Sequence, residues 1–555
     1  MTPEFLTNFT PTRTKHSLLP IGFRLPATGR LGEVWHKAAE RDPDTKVIAD
    51  RPPDVAVQFG AELTYAVCAS IVDQLAARLH TLGVRPSDRV AVIKRNHLDY
   101  ALLASATARL GAIPALISDN HDHSVLATLL QRLENPYLVT DAQTVAAKPI
   151  DPELTALTTR TVVLDDLPKR TDIRQWQDLT DSQRPPVALR DPDQPQVITH
   201  TSGTTGAPKL VMHSAASLYA LALPEAERWP FWLNTNDTIA FCNPYSHQRM
   251  MTALLALAAV TPTIIFLSDP ADPAVRDMLV HHKPTFVETL PNGFLHWEPL
   301  TKDPAKPFAR VKVYVSSFDG IHTRTVRAFL HASQRLCPLW VQAWSQTEAG
   351  SVAIRPYIRS VVRKVGKRPP PTQFLGWPVP GFGKLRAVDP DTGQPVPAGE
   401  VGLIQICAPG RCLGYVGETA RYQNKTHGQW WDLGDLGVIN RWGAVRLIDR
   451  EVDRISGASA LELEDLLLDR IPETTEVVML AIRDGLPQPV VSTVDDIPLD
   501  MTAWRAAVTD LPRLSEPLQI RWDEFPRTAT WKIQRVRLRE QLLPDAVGIG
   551  KANWT

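Results

Sequence analysis

From Thr199 to Lys209 the chain reads T-H-T-S-G-T-T-G-A-P-K. Nothing in this stretch can build a core. Gly203 and Gly206 permit positive φ and leave backbone N–H groups uncovered. The hydroxyls of Thr201, Ser202, Thr204 and Thr205 add donors, and Lys209 adds a positive charge. A strand feeding such a loop can wrap phosphate oxygens in a nest of donors. It is not a Walker A loop, because Lys209 does not directly follow the second glycine and no Ser or Thr follows the lysine.

The elements that must hold this loop are legible around it. In 62–84, E-L-T-Y-A-V-C-A-S-I-V-D-Q-L-A-A-R-L-H-T-L-G-V, apolar residues recur at helical spacing and Gly83 marks the stop. R-V-A-V-I then predicts a short buried strand, Tyr100 to Leu110 a second helix closed by Gly111, and A-I-P-A-L-I another strand. Strands alternating with helices predict an α/β fold with mostly parallel sheets. The alternation resumes with Q-V-I-T-H, which runs into the loop, and with K-V-Y-V-S (312–316) and P-L-W-V-Q-A-W (338–344). From 376 the P-D-T-G and P-A-G-E turns predict antiparallel hairpins, a β-rich subdomain. The charge-dense I-D-R-E-V-D-R-I-S-G (448–457) precedes one more helix, L-E-L-E-D-L-L-L-D-R, and further strands. The expected organisation is a large multi-layer N-terminal domain, 1–448, and a small mobile α+β C-terminal domain, 449–555.

Composition limits the partners. The 555 residues suffice for two to four domains. Lys plus Arg, 60, equals Asp plus Glu, 60, so no net field favours nucleic acid or an acidic membrane. Five scattered cysteines make neither a disulfide framework nor a zinc spacing, and predict reduced, buried thiols in a cytoplasmic protein. The N-terminus lacks the apolar core of a signal peptide. The run 250–267 is divided by Pro262 into a helix-like half and a β-branched half, predicting a buried helix and then a buried strand. H-D-H (121–123) lacks a surrounding ligand set and is read as a polar loop.

The loop resembles the phosphate loop of the adenylate-forming superfamily of acyl-CoA synthetases, non-ribosomal adenylation domains and luciferases. Further stretches match in the same order: L-T-Y-A (63–66), G-V-R-P-S-D-R-V-A-V (83–92), W-S-Q-T-E (344–348), G-W-P-V-P-G, P-V-P-A-G-E-V-G, D-L-G-D (432–435), D-R (449–450) and P-R-T-A-T-W-K-I-Q-R (526–535). The resemblance covers about residues 30 to 540. It implies that ATP and a small, aromatic or short-chain carboxylic acid give an acyl adenylate and pyrophosphate, a reaction carried by positioning and electrostatic stabilisation.

The resemblance also implies site residues. Lys532 would be the catalytic cation at the carboxylate and α-phosphate oxygens. Glu348 and Thr204 would hold Mg²⁺, a hard ion that prefers oxygen. Thr347 would contact phosphate, Trp344 would stack on adenine, Asp435 would accept the ribose hydroxyls, and Arg450 would bind ribose or phosphate from the domain junction. His247 would line the acyl pocket or exclude water. Arg249, where common members are apolar, could hold an anion bidentately. In S-S-F-D-G (316–320), Ser317 and Phe318 would reshape the substrate wall.

Two departures bear on the second half-reaction. Trp531 stands where the family usually has glycine, and D-R-E-V-D-R-I-S-G is shorter than the family's loop and lacks its lysine before the glycine. The loop serves thioester formation, so CoA is a doubtful acceptor; a carrier-protein thiol or an amine is the alternative. Two other outcomes stay open: an ATP-dependent diazotase joining nitrite to an arylamine, and a non-catalytic nucleotide-binding relative.

Overall fold

The computed structural model describes residues 29–544 except 148–149, 169, 181–183, 202–206, 229–232, 363–372, 380–381, 451–459, 483–484 and 529–531; the side chains of 227, 228, 449, 450 and 461 are also left out. Helix α1 (Tyr65–Leu82) starts where Thr64 caps the Val67 N–H, and ends at Gly83 with φ 115°. Only glycine adopts that left-handed turn cheaply. Strand β1 (Arg89–Lys94), helix α2 (Asp99–Arg109) and strand β2 (Ile113–Ser118) follow as the periodicity predicts. Strand β3 (Pro195–His200) enters the Gly/Thr-rich loop and β4 (Leu210–Ser214) leaves it, antiparallel to β3. These strands belong to an eight-stranded sheet with β1, β2 and β3 parallel.

Helix α3 (Ala215–Arg228) leads to a second, fourteen-stranded sheet. Its parallel part contains β5 (Thr238–Cys242), β6 (Thr263–Phe266), β7 (Phe286–Thr289), β8 (Val313–Ser316) and β9 (Leu339–Gln346). Helix α4 (Gln248–Val260) connects β5 to β6. The run around Pro262 is therefore a buried helix and a strand: Thr261 turns with φ 51° and the proline cannot continue the helix. No described helix is long and apolar enough to cross a membrane.

Beyond β9 the same sheet becomes antiparallel, through β10 (Gly350–Tyr357) and onward to β11 (Trp430–Ile439) and β12 (Val445–Arg450). The predicted hairpin region is thus an extension of one sheet. The helix predicted after the charge-dense stretch is α5 (Ala460–Arg470), which packs against a three-stranded sheet with its own core around Leu467, Val491 and Trp504. Of the cysteines, Cys68, Cys242 and Cys412 are buried, whereas Cys407 is half-buried and Cys337 exposed.

Candidate active site

The mouth of the Gly/Thr-rich loop is clasped by two hydrogen bonds. The Thr201 N–H donates to the Lys209 carbonyl at 3.0 Å, and the Lys209 N–H to Thr201 Oγ1 at 3.1 Å. Thr201 therefore uses its hydroxyl as a clasp. Ser202, Gly203, Thr204, Thr205 and Gly206 lie outside the described residues.

Lys209 reaches across to the end of β9. Its Nζ is 3.0 Å from Glu348 Oε1 and 3.2 Å from the Tyr415 hydroxyl, which itself donates to Glu348 Oε1 at 2.5 Å. Glu348 is 2% exposed. Burial alone would raise its pKa, but Lys209, Lys425 and the Tyr415 hydroxyl outweigh burial and hold it down at about 2. Burial above all, with the adjacent carboxylate, pushes the Tyr415 phenol well up, so it stays a donor. The Cys412 N–H donates to the Glu348 carbonyl at 2.7 Å.

Thr347 is held from both sides. Its carbonyl can only accept, so the 2.8 Å contact fixes the proton on His213 Nε2. Its Oγ1 is 3.0 Å from His247 Nε2. His247 is the N-cap of α4, with Nδ1 accepting the Arg249 N–H at 3.1 Å. The neutral ring therefore carries its proton on Nε2 and donates to Thr347. Burial first, then the positive field of neighbours including Lys532, lowers His247 to about 3. At neutral pH this ring is a fixed donor and a wall, not a base.

Lys532 is near enough to His247 for its charge to act on that ring. The Lys532 backbone is fixed by paired bonds with Thr528, at 2.8 and 3.1 Å. The C-terminal residues dock on the larger body through Arg324, which donates to the Thr474 carbonyl at 3.2 Å, and through the Trp522 ring, 4.8 Å from His296. The Phe318 ring lies tilted against His247, with centroids 4.6 Å apart, and Phe318 holds φ 80°. A bulky residue there is strained, a cost that clusters at functional sites.

Asp435 and Arg450 are register partners across β11 and β12, which puts the two predicted ribose residues opposite one another. Gln346 ties β9 to β11, donating to the Leu433 carbonyl at 2.6 Å and accepting from Trp431 Nε1 at 2.9 Å. Trp344 is half-buried against Ala353, Leu375, Val445 and Leu447.

Arg249 is already engaged. It makes paired 2.7 Å bonds to both oxygens of Glu288 and further 2.7 Å bonds to Glu225. The guanidinium the sequence offered to a small anion is held by two carboxylates. Ser317 is 3% exposed, and its hydroxyl has no hydrogen-bond partner among the described residues.

Sequence reasoning did not single out His213, Tyr415, Lys425, Asn243 or Glu288. Lys425 is half-buried, with its Nζ over the Trp431 ring, and donates to the Asp432 carbonyl at 3.3 Å. Burial first, and then Lys209, lowers its pKa. Such residues carry no motif; only the register of distant strands assembles them. As for H-D-H, His123 Nε2 lies 3.3 Å from Asp151, which also caps the Leu154 N–H.

Residues 35–416 match the AMP-binding enzyme family. The 3-amino-2-hydroxy-4-methoxybenzoate diazotase of Streptomyces cremeus is 38% identical over 532 residues, 92% of this chain and 94% of that protein. The anthranilate–CoA ligase of Pseudomonas aeruginosa is 24% identical over 535 residues, 88% and 94% of the two chains. Among solved structures, the anthranilate CoA ligase AuaEII in complex with anthranoyl-AMP superposes with a TM-score of 0.77 at 20% identity, covering 93% and 98%.

Proposed function

The chain belongs to the AMP-binding enzyme family and is an adenylate-forming ligase that activates a small-molecule acid, and we propose that this acid is nitrite and its acceptor a primary aromatic amine. The observation that carries this reading is the 38% identity, across nearly the whole of both chains, to a diazotase. A nitrite oxygen attacks the α-phosphorus of ATP and pyrophosphate leaves, forming a mixed anhydride of nitrous acid and AMP. The amine lone pair then takes the nitroso group as the bond to the AMP oxygen breaks, and one N–H proton is lost. The N-nitroso amine takes up a proton and loses water to give the diazonium ion. No thioester is needed, consistent with the short, lysine-poor loop after Asp449.

The reading assigns each residue a role. Lys532, near His247, offers an ammonium to the attacking anion and the α-phosphate oxygens. Thr347, fixed by His213 and His247, presents its hydroxyl to phosphate, with Lys209 adjacent. Asp435 and Arg450 are assigned to the ribose, Trp344 to the adenine, and the loop 202–206, outside the described residues, to the phosphates. Glu348 fits Mg²⁺ by its chemistry: a buried carboxylate, ionised at neutral pH, next to a hydroxyl. Thr204 would be its companion ligand. The ion, when bound, neutralises phosphate charge. His247 is held neutral and helps keep water from the anhydride. The chemistry calls for neither CoA nor a carrier protein.

A second reading keeps an aromatic carboxylate as the acid. What favours it is the Phe318 ring against His247 near Lys532, a wall on which an aryl ring can rest with its carboxylate at the ammonium. One experiment separates the two. The purified protein is given ATP, Mg²⁺ and 3-aminobenzoate with and without nitrite, pyrophosphate is measured, and diazonium is trapped with a naphthol. Pyrophosphate release and azo dye that both require nitrite are expected. Release with the aromatic acid alone, unaffected by nitrite, overturns the diazotase reading in favour of the second.

A further inference from the structure

Strands β5, β7 and β8 end side by side: Cys242 lies opposite Thr289, and Thr289 opposite Ser316. In open α/β sheets, ligands bind outside the carboxyl ends of parallel strands. The first residue past β5 is Asn243, 2% exposed. Its Nδ2 donates to Glu288 Oε1 at 3.1 Å. A carboxylate gripped by a guanidinium can only accept, so this contact decides which way the amide faces. The nitrogen points at Glu288 and Oδ1 points away. That Oδ1 is buried and has no hydrogen-bond partner among the described residues. A buried acceptor left unpaired costs free energy, and such a group calls for a partner.

The surroundings prevent Asn243 from turning to relieve this. Both oxygens of Glu288 are held by Arg249, whose remaining edge is held by Glu225. The Asn243 backbone is pinned by Asn96, which donates to its carbonyl at 3.0 Å and accepts the Tyr245 N–H at 2.7 Å. A fixed, unsatisfied acceptor thus stands at the strand ends, four residues before His247, in the segment that leads into α4.

We propose that Asn243 Oδ1 accepts an N–H of the aromatic amine and that Glu288, held by Arg249, is the positioning residue that aims it. The identification of the donor as an amine rests on the diazotase reading. The direction of the bond suits nitrosation. An acceptor engages the N–H and leaves the nitrogen lone pair free to attack, whereas a donor at the same place would occupy the lone pair. Arg249 thereby gains a role, since it fixes the carboxylate that fixes the amide.

The test compares ligands that differ only in the amino group. Equilibrium binding of 3-aminobenzoate and of benzoate is measured by titration calorimetry for the wild type, Asn243→Leu and Glu288→Gln. The wild type is expected to prefer the amine by ~10-fold or more, because a site built to pair an N–H rejects an analogue lacking it. Asn243→Leu should bring the ratio to within ~2-fold, and Glu288→Gln should lower it partway by letting the amide turn. In turnover, Asn243→Leu should raise the KM for the amine more than the KM for nitrite. Thermal unfolding checks each variant, with Asn243→Ala used where the leucine variant does not fold. A ratio unmoved by either Asn243 variant means that water, not substrate, satisfies Oδ1, and overturns the proposal. Two further outcomes separate this proposal from the functional reading. A fall in the ratio without nitrite-dependent pyrophosphate release keeps the acceptor and removes the diazotase; nitrite-dependent release with an unmoved ratio does the reverse.

Discussion

Two buried charge clusters in this molecule look alike by burial and by their displaced titrations, yet they are built on opposite plans. Arg95 and Arg51 answer neighbouring carboxylates, 3.3 Å from Asp141 and 3.7 Å from Asp54, around Lys94, which is wholly buried. Its Nζ lies 2.9 Å from Asp54, 2.8 Å from Asp99 and 3.8 Å from Asp141. His97 bridges Asp99 at 3.0 Å and the Arg51 carbonyl at 3.1 Å, and Asp141 takes the backbone N–H groups of Arg95 and Thr144. Lys94 and Asp99 are five residues apart in the chain. Around Glu348, Lys209 and Lys425 bear on one buried carboxylate, and Asp432 and Asp435 bear on Lys425. Its members are far apart in sequence, Lys209 and Glu348 by 139 residues and Lys209 and Tyr415 by 206. The first cluster closes on itself. The second is assembled from distant segments and holds residues that the proposed function assigns to phosphate and Mg²⁺. Shifted titration marks both clusters, so it is the reach of sequence from which each is assembled that separates a brace from the proposed binding site.

The largest expected effect breaks the comparison if it fails. Lys532→Ala should lower pyrophosphate release by ~10³-fold, the scale lost when a group aimed at developing charge is removed. Its unfolding transition should stay near that of the wild type. Lys94→Ala should do the opposite: it leaves buried carboxylates without their cation and costs about 3–5 kcal/mol of stability, while the protein that remains folded turns over. A Lys94 variant that is stable but inactive would erase the distinction. Urea unfolding paired with pyrophosphate assays checks both.

What could be read from the chain follows the same division. The phosphate loop, W-S-Q-T-E and the terminal lysine segment were legible because their chemistry is concentrated in contiguous residues. The parallel strands were legible because buried strands are near-continuous apolar runs. The antiparallel extension past β9 was only half legible, since turns announce hairpins but not which sheet they join. Arg249 was noticed for its charge and read as free. Its partners, Glu225 on α3 and Glu288 on β7, come from elements that only tertiary packing brings to it. His213 and Tyr415 are single polar residues in apolar strands, which local pattern cannot distinguish from ordinary core.

Glu348→Gln comes next in size. It keeps the shape and removes the charge that Lys209 and the Tyr415 hydroxyl address. Pyrophosphate release should fall by about 10²-fold, and raising Mg²⁺ should recover little of it. A variant whose loss is fully restored by high Mg²⁺ would mean that Glu348 tunes affinity for the ion and nothing more.

The smallest effect sharpens the comparison through its sign. Burial, chiefly, holds His213 at about 4 and His247 at about 3, below the ordinary 6.5. The unfolded chain therefore binds more protons than the folded one as pH drops. Their contribution to stability is complete above 6.5 and is lost between 6.5 and 4 for His213, and between 6.5 and 3 for His247. The slope reaches about 1.4 kcal/mol per pH unit for each ring. His97, in the other cluster, moves the other way: burial would lower it, but Asp99 and Asp50 together raise it. Its contribution is complete below 6.5 and is lost as pH rises through the elevated folded value. Urea unfolding across pH should therefore show His213→Gln flattening the acid side of the stability curve and His97→Gln flattening the side above 6.5. If both substitutions flatten the same side, the histidines of the two clusters do not meet different surroundings, and the contrast between brace and binding site fails at its electrostatic root.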